Sequence, residues 1–394
     1  AMVLGVAVLV FVRALGDGAH VDWIEQGVRL GEGHVAIQHP EFRASRHLDD
    51  RLAPAAVARA DAALATPEIA VQVQVVAPRL EMLGLANSPG AAVPVFITGV
   101  DPAVEARFSH LSDRVVEGRY LEPDDRLHAF VGDRLAERLD VELGSRLVLT
   151  GQDASGEIAG QLVRVVGIFH SGIPEVDEAV VHVPLATTQD WLGVPGAVTT
   201  LAVLLRSSWD VDEVRDRLRD LLSAERNVAV LGWREAMPEL NAAIRLDDFG
   251  AYLFDIILYV IVGLAIVNTV LMSVLYRRRE FGVLQALGLT GRETATVVFS
   301  EGVLLTFVSG VAGMVLGFGV TWLLFRNGLD YSGLMQEDFS FGGVVLEPVI
   351  VPIFRLTQVW RSIAWILVIG VLASLYPAVR AWSIDVAEAM KFEA

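Results

Sequence analysis

The chain has 394 residues, 53% of them hydrophobic, with a mean hydropathy of +0.50 and a formal charge of −17. Such acidity argues against nucleic acid as a partner, because phosphate binding needs clustered cations. The absence of cysteine removes disulfides, thiolate nucleophiles and thiolate metal sites together. Charge and hydrophobicity occupy different regions: residues 249–394 hold 11 Asp/Glu and 9 Lys/Arg, leaving 37 and 22 for residues 1–248. The only lysine, Lys391, precedes Phe392. A nucleotide-binding P-loop needs Lys before Ser or Thr after a Gly-rich turn, so these residues carry none and ATP chemistry would fall to another polypeptide segment.

In chain order, Met2 to Val12 is uninterrupted apolar sequence closed by Arg13, too short to span a bilayer. We read residues 1–15 as the outer half of a first transmembrane helix whose start lies before Ala1; a buried core helix is the other reading. Residues 16–248 have the patterning of an α+β domain, with strands expected at 34–38, 69–77, 93–99, 145–150, 161–169, 179–183 and 198–205. Helices are expected at 52–65, 131–139, 210–223 and 233–246, and an inserted β-rich part at about 115–190. All eight histidines lie here, without an HExxH or a helical metal spacing, so no metal or catalytic residue is assigned. His34 and His39 read as surface residues. The acidic run Ser171–Glu178 reads either as a docking edge or as a solvated connection.

Three further spans follow, at 249–276, 293–325 and 359–382, each long enough to cross the hydrocarbon. The connector 277–292 carries Arg277, Arg278, Arg279 and Arg292, whereas the longer 326–358 loop is acidic; this places the connector and the tail 383–394 in the cytoplasm and the large domain outside. Asp255 reads as a headgroup-level residue. Glu301 is an intramembrane carboxylate, read as a hydrogen-bonding partner of a neighbouring helix or as a transport residue. Gly310, Gly313 and Gly317 form a small face suited to close helix packing. Inverted repeats and broken mid-span helices, the marks of an ion-coupled carrier, are not visible.

The stretch Val274-Leu275-Tyr276-Arg277-Arg278-Arg279-Glu280-Phe281-Gly282-Val283-Leu284-Gln285-Ala286-Leu287-Gly288 resembles the signature of the ABC permease superfamily that contains MacB, LolC/LolE and FtsX. Val100-Asp101-Pro102, Gly118-Arg119-Tyr120-Leu121, Val131-Gly132, Val166-Gly167-Ile168-Phe169 and Tyr376-Pro377-Ala378 through Asp385–Met390 match further landmarks in the family's order, with Val386 where Pro is common. The resemblance implies one transmembrane helix, a large periplasmic domain and three more helices, in a protein of the cell inner membrane that is not itself an enzyme. It implies a dimer with an identical or homologous permease, and ATPase subunits that use ATP and Mg. It also implies an accessory periplasmic chaperone or adaptor. Arg279, Glu280, Phe281, Gly282, Leu284, Ala286, Leu287 and Gly288 then form a coupling helix that docks on the ATPase, with Phe281, Leu284 and Leu287 expected on one apolar stripe; a helix resting on membrane lipid is the alternative. The functions implied are lipoprotein release, MacB-like export of drugs or peptides, and FtsX-like control of a cell-wall hydrolase. A lone anchored binding protein would leave the stripe and arginine cluster unexplained.

Overall fold

The computed structural model describes residues 2–330, 340–341, 344–345 and 349–384. The chain divides into two compact units: a sheet domain of Trp23–Ala243, and a helical unit of the residues up to Asp22 with most of the described residues from Ile244 onward.

The helical unit contains α1 (Met2–Leu30), α2 (Pro238–Tyr276), the short α3 (Arg278–Ala286), α4 (Gly291–Phe325) and α5 (Leu356–Trp382). Four of them are long and apolar enough to cross a membrane, with the large domain between the first and second, as the sequence suggested. The expected limits differ in one direction. α1 runs to Leu30 rather than stopping near residue 15, and α2 starts at Pro238 rather than 249. Hydropathy marks where a helix leaves lipid, whereas intrahelical hydrogen bonding continues into water.

On α4 the usual arrangement of large and small side chains is inverted. Its buried stripe is Thr294, Val298, Gly302, Thr306, Gly310, Gly313, Gly317 and Thr321, while Leu304, Phe307, Val308 and Val315 are exposed. In lipid, apolar side chains gain nothing by leaving the solvent, so helices associate where small residues let backbones approach. A Cβ on Gly317 would lie 2.9 Å from the Cα and carbonyl oxygen of Ala7 in α1, and one on Gly313 would lie 2.6 Å from Val6 Cβ. Gly310 faces Ile366 of α5, and Gly370 of α5 receives Thr306.

The sheet domain is built on ten strands: β1 (Val35–Gln38), β2 (Val73–Asn87), β3 (Ala92–Val100), β4 (Val115–Gly118), β5 (His128–Gly132), β6 (Arg146–Gln152), β7 (Ile158–Phe169), β8 (Val180–Pro184), β9 (Thr200–Leu205) and β10 (Ala229–Gly232). They run in the order β10-β1-β9-β2-β3-β8-β5-β7-β4, with β6 pairing β2 and β7. The β-rich stretch at 115–190 therefore enters the same sheet, β8 pairing with β3 in parallel and β6 with β2 antiparallel. Leu80, Ile97, Val131, Leu135, Leu149, Val165 and Val183 lie in its main core.

Residues 69–77 were expected as a strand, but Thr66-Pro67 starts a helical turn over Pro67–Ala70, and β2 begins only at Val73. β2 then passes through Pro78, which precedes the first register pair with β3, Arg79↔Val100, and so has a strand on one side only. The landmark motifs have local causes. Asp101 caps the helix Pro102–Phe108 by accepting from Ala103 N at 3.0 Å and Val104 N at 3.3 Å, with Pro102 at the first helical position. Gly118 adopts φ +76°, and Arg119 forks onto Asp125 at 2.7 and 2.9 Å, holding that carboxyl down at about 2. The C-terminal motif Asp385–Met390 and most of the tail 383–394 lie outside the described residues.

Gly317→Leu should push α1 from α4 and destabilise the protein by about 1–3 kcal/mol. Gly319→Leu, with no atom within 4 Å of its added Cβ, should be neutral. Thermal unfolding of the two variants in detergent checks the difference.

Candidate functional site

The short helix α3 hangs between α2 and α4. Gly288, at φ +111°, ends it with Leu289 N bonded to Leu284 O at 3.0 Å, and Thr290 with Glu293 forms the capping box that starts α4. The apolar stripe expected on α3 is divided. Phe281 is 2% exposed and packs with Val270, Val274, Val298 and Ala381, and Gly282 is buried beside it. Val283, Leu284 and Leu287 face outward, Leu287 at 81% exposure, together with Arg279, Glu280, Ala286 and Gly288. Leu287 lies about 120° round the helix from Phe281, too far to share one face. The inward side anchors α3, and the outward side carries uncovered hydrophobic surface.

Polar contacts fix the anchor. Arg277 Nε donates to Glu280 Oε2 at 3.0 Å and its Nη1 to Glu301 Oε2 at 2.9 Å, with the guanidinium 5.1 Å from the Phe281 ring centre. Ser273 Oγ adds a longer bond to Glu301 Oε1 at 3.4 Å. Glu301 therefore ties the end of α2 and the start of α3 to α4. Gln285 reaches Thr294 Oγ1 at 3.2 Å, and Arg292 stacks over Trp382 of α5.

A second polar seam joins α1 to α2. Asp255, 9% exposed, accepts from Arg13 Nε at 2.8 Å, and His20 Nε2 meets Asp247 Oδ2 at 2.7 Å. Sequence reading missed this pairing, although each apolar segment carries a lone charge of opposite sign, which is costly in lipid unless paired.

In the sheet domain, His34 is buried, not on the surface: Leu205 N donates to its Nδ1 at 3.2 Å, and burial pushes its pKa down. The acidic segment is a folded corner rather than a solvated loop. Asp177 is fully buried and accepts from Ser171 N, Ser171 Oγ and Gly172 N. With Asp133 and His170 it forms a trio whose ligand atoms lie within 4.8 Å, the group among the described residues closest to a metal-binding set. His170 Nδ1 already bonds Asp133 Oδ2 at 2.7 Å, so the three hold one another.

The same domain encloses a cavity of about 210 Å³. Its back is the buried pair of Arg79 and Glu105, joined by bonds of 3.0 and 2.6 Å, beside His182, whose pKa burial lowers to about 4. Its front is Glu32, 7% exposed and pushed up to about 7, first by burial and then by the charge of Glu81, with Arg46 and Arg43 opposing. The ordinary glutamate value is 4.5, so ionising Glu32 weakens the fold as pH rises from about 4.5 to about 7, and the loss stays constant above that. Glu32→Gln should therefore unfold later than the parent at about pH 8, by on the order of 2–3 kcal/mol, with the difference vanishing near pH 4.5. Thermal unfolding of both proteins across that range checks the sign.

Residues 1–221 match the family model of the MacB-like periplasmic core domain, and residues 252–386 that of the FtsX-like permease C-terminal domain. The chain is 24% identical over 317 residues to the lipoprotein-releasing system transmembrane protein LolC of Xylella fastidiosa (strain 9a5c), covering 76% of this chain and 73% of that one. It is 22% identical over 405 residues to the macrolide export ATP-binding/permease protein MacB of Bdellovibrio bacteriovorus; all of this chain is covered, and it spans 58% of that relative. Among solved structures, the periplasmic region of MacB from Actinobacillus actinomycetemcomitans aligns with 52% of this chain and 90% of its own, at 13% identity and a TM-score of 0.37.

Proposed function

This chain belongs to the MacB/LolC–LolE/FtsX superfamily of ABC transporter permeases, and from that premise we propose that it is the permease subunit of a mechanotransmission machine that releases lipoproteins from the inner membrane. The observation that carries the proposal is the division of α3. A connector anchored through Phe281 and Arg277 while exposing Val283, Leu284 and Leu287 suits a partner that covers the apolar side and pushes on it. The flanking Arg277, Arg278, Arg279 and Arg292 favour a cytoplasmic position for this partner, and an ATPase that closes on ATP is the partner that the family suggests. The sheet domain then lies in the periplasm.

Force applied to α3 passes through Arg277 and Glu301 into α2 and α4. α2 is a single helix of 39 residues, about 58 Å of continuous rod, able to carry an axial push with little loss. The buried stripe of α4 is Gly, Thr and Val with no ionisable side chain, which favours transmission of movement over conduction. LolC-like length coverage supports lipoprotein release. Macrolide-type export is the second reading, favoured by the full-length match to the MacB relative.

Leu284→Asp should weaken docking by about tenfold or more and uncouple ATP hydrolysis from the permease, leaving membrane insertion intact. Co-purification with the co-expressed ATPase, and turnover of the complex in lipid, provide the measurement. Undiminished coupling in this variant removes the docking role. Transfer of a triacylated protein to a soluble acceptor under ATP then separates release from export.

A further inference from the structure

The cavity of the sheet domain has one electrically complete wall and one incomplete wall. At the back, Arg79 is fully engaged by Glu105 and by the Gly31 carbonyl, with its guanidinium 4.6 Å from the Phe108 ring centre. At the front, Glu32 and Glu81 share the single guanidinium of Arg46 at 3.3 and 3.7 Å, both longer than charge-assisted bonds of about 2.7–2.9 Å. Arg43 acts on Glu32 only through its charge, so one guanidinium is shared by two carboxylates in direct contact. Glu32 Oε2 has no hydrogen-bond partner although the residue is buried, a rarity in folded proteins. The remaining lining is mostly apolar, with Thr98, Ser109 and His182 the polar exceptions. Leu83 and Phe96 are register partners on β2 and β3, half exposed at the mouth, with Phe42 and Val180 further in.

From this asymmetry we propose that the cavity is a binding site for a small organic cation, a primary ammonium on a compact apolar body. The ammonium would donate to the orphan Glu32 oxygen beside the Glu32–Glu81 pair, while the body lies against Leu83, Phe96 and Val180. An anion is disfavoured because Arg79 is engaged by Glu105 and Arg46 already faces two carboxylates. A divalent metal is disfavoured because the front wall offers two carboxylates that already face Arg46, where such ions take six or more oxygens. A quaternary ammonium lacks the N–H that the orphan acceptor needs. The volume corresponds to about seven water molecules, the scale of a ligand such as phenethylamine. The site lies wholly within the sheet domain and is independent of the transport function proposed above.

Calorimetric titration of the full chain in detergent at about pH 8, with protein-free micelles as blank, provides the test; the probes are phenethylamine, 2-phenylethanol and 3-phenylpropionate. The expected result is saturable binding of the amine, with the alcohol and the acid weaker by about tenfold or more. Glu32→Gln should lower amine affinity by about tenfold and leave the alcohol unchanged. Phe96→Ala, at the half-exposed mouth, should weaken the amine and the alcohol alike, a second readout that does not involve the carboxylate. No saturable amine binding, equal affinity for the acid, or unaltered amine affinity in either variant overturns the proposal.

Discussion

Everything proposed for the helical unit depends on how one arginine is shared. Arg277 sits where α2 ends and α3 begins, bonded to Glu280 on one side and Glu301 on the other, with the Phe281 ring under its guanidinium. A connector of nine residues is too short to hold a fixed orientation by its own hydrogen bonds. The clamp and the buried Phe281 supply what helix propensity cannot. They also give Glu301 its role: the intramembrane carboxylate reads as a structural tie between helices, one of the two readings its position allowed.

The same economy of polar groups runs through the rest of the unit. Charges that enter the apolar segments are paired, Arg13 with Asp255 and Arg277 with Glu301. For the buried Arg13–Asp255 pair, breaking one partner is costlier than removing both, because the remaining charge stays desolvated. On α4 the contact surface is mostly Gly and Thr, which lets backbones approach, while Val262, Ile266, Val270 and Val274 of α2 supply the larger buried side chains.

Much of this organisation was legible in the sequence, for reasons that also explain the misses. The long apolar runs of α2 and α4 leave no alternative to spanning helices, and the β-branched runs at 93–99, 145–150, 161–169 and 198–205 fall on β3, β6, β7 and β9. The glycine spacing at 310, 313 and 317 did mark packing faces. Helix ends were misjudged where polarity changed but hydrogen bonding did not, as at Leu30 and Pro238. The second half of β2 was hidden by Pro78 and Gly84. Phe281 was assigned to the wrong face because periodicity gives the angle between side chains but not which angle meets the bundle. The Arg13–Asp255 seam and the Glu32 cavity join residues 242 and up to 150 positions apart, and only topology brings those together.

The central claim is that α3 is a rigid extension of the helices it connects. Double electron–electron resonance measures this directly, and the absence of native cysteine lets spin labels be placed cleanly at Leu287→Cys and Val320→Cys, both exposed. The account predicts a single narrow distance distribution that broadens when Arg277→Gln removes the clamp. A broad distribution in the parent chain, or one that Arg277→Gln leaves unchanged, would contradict it.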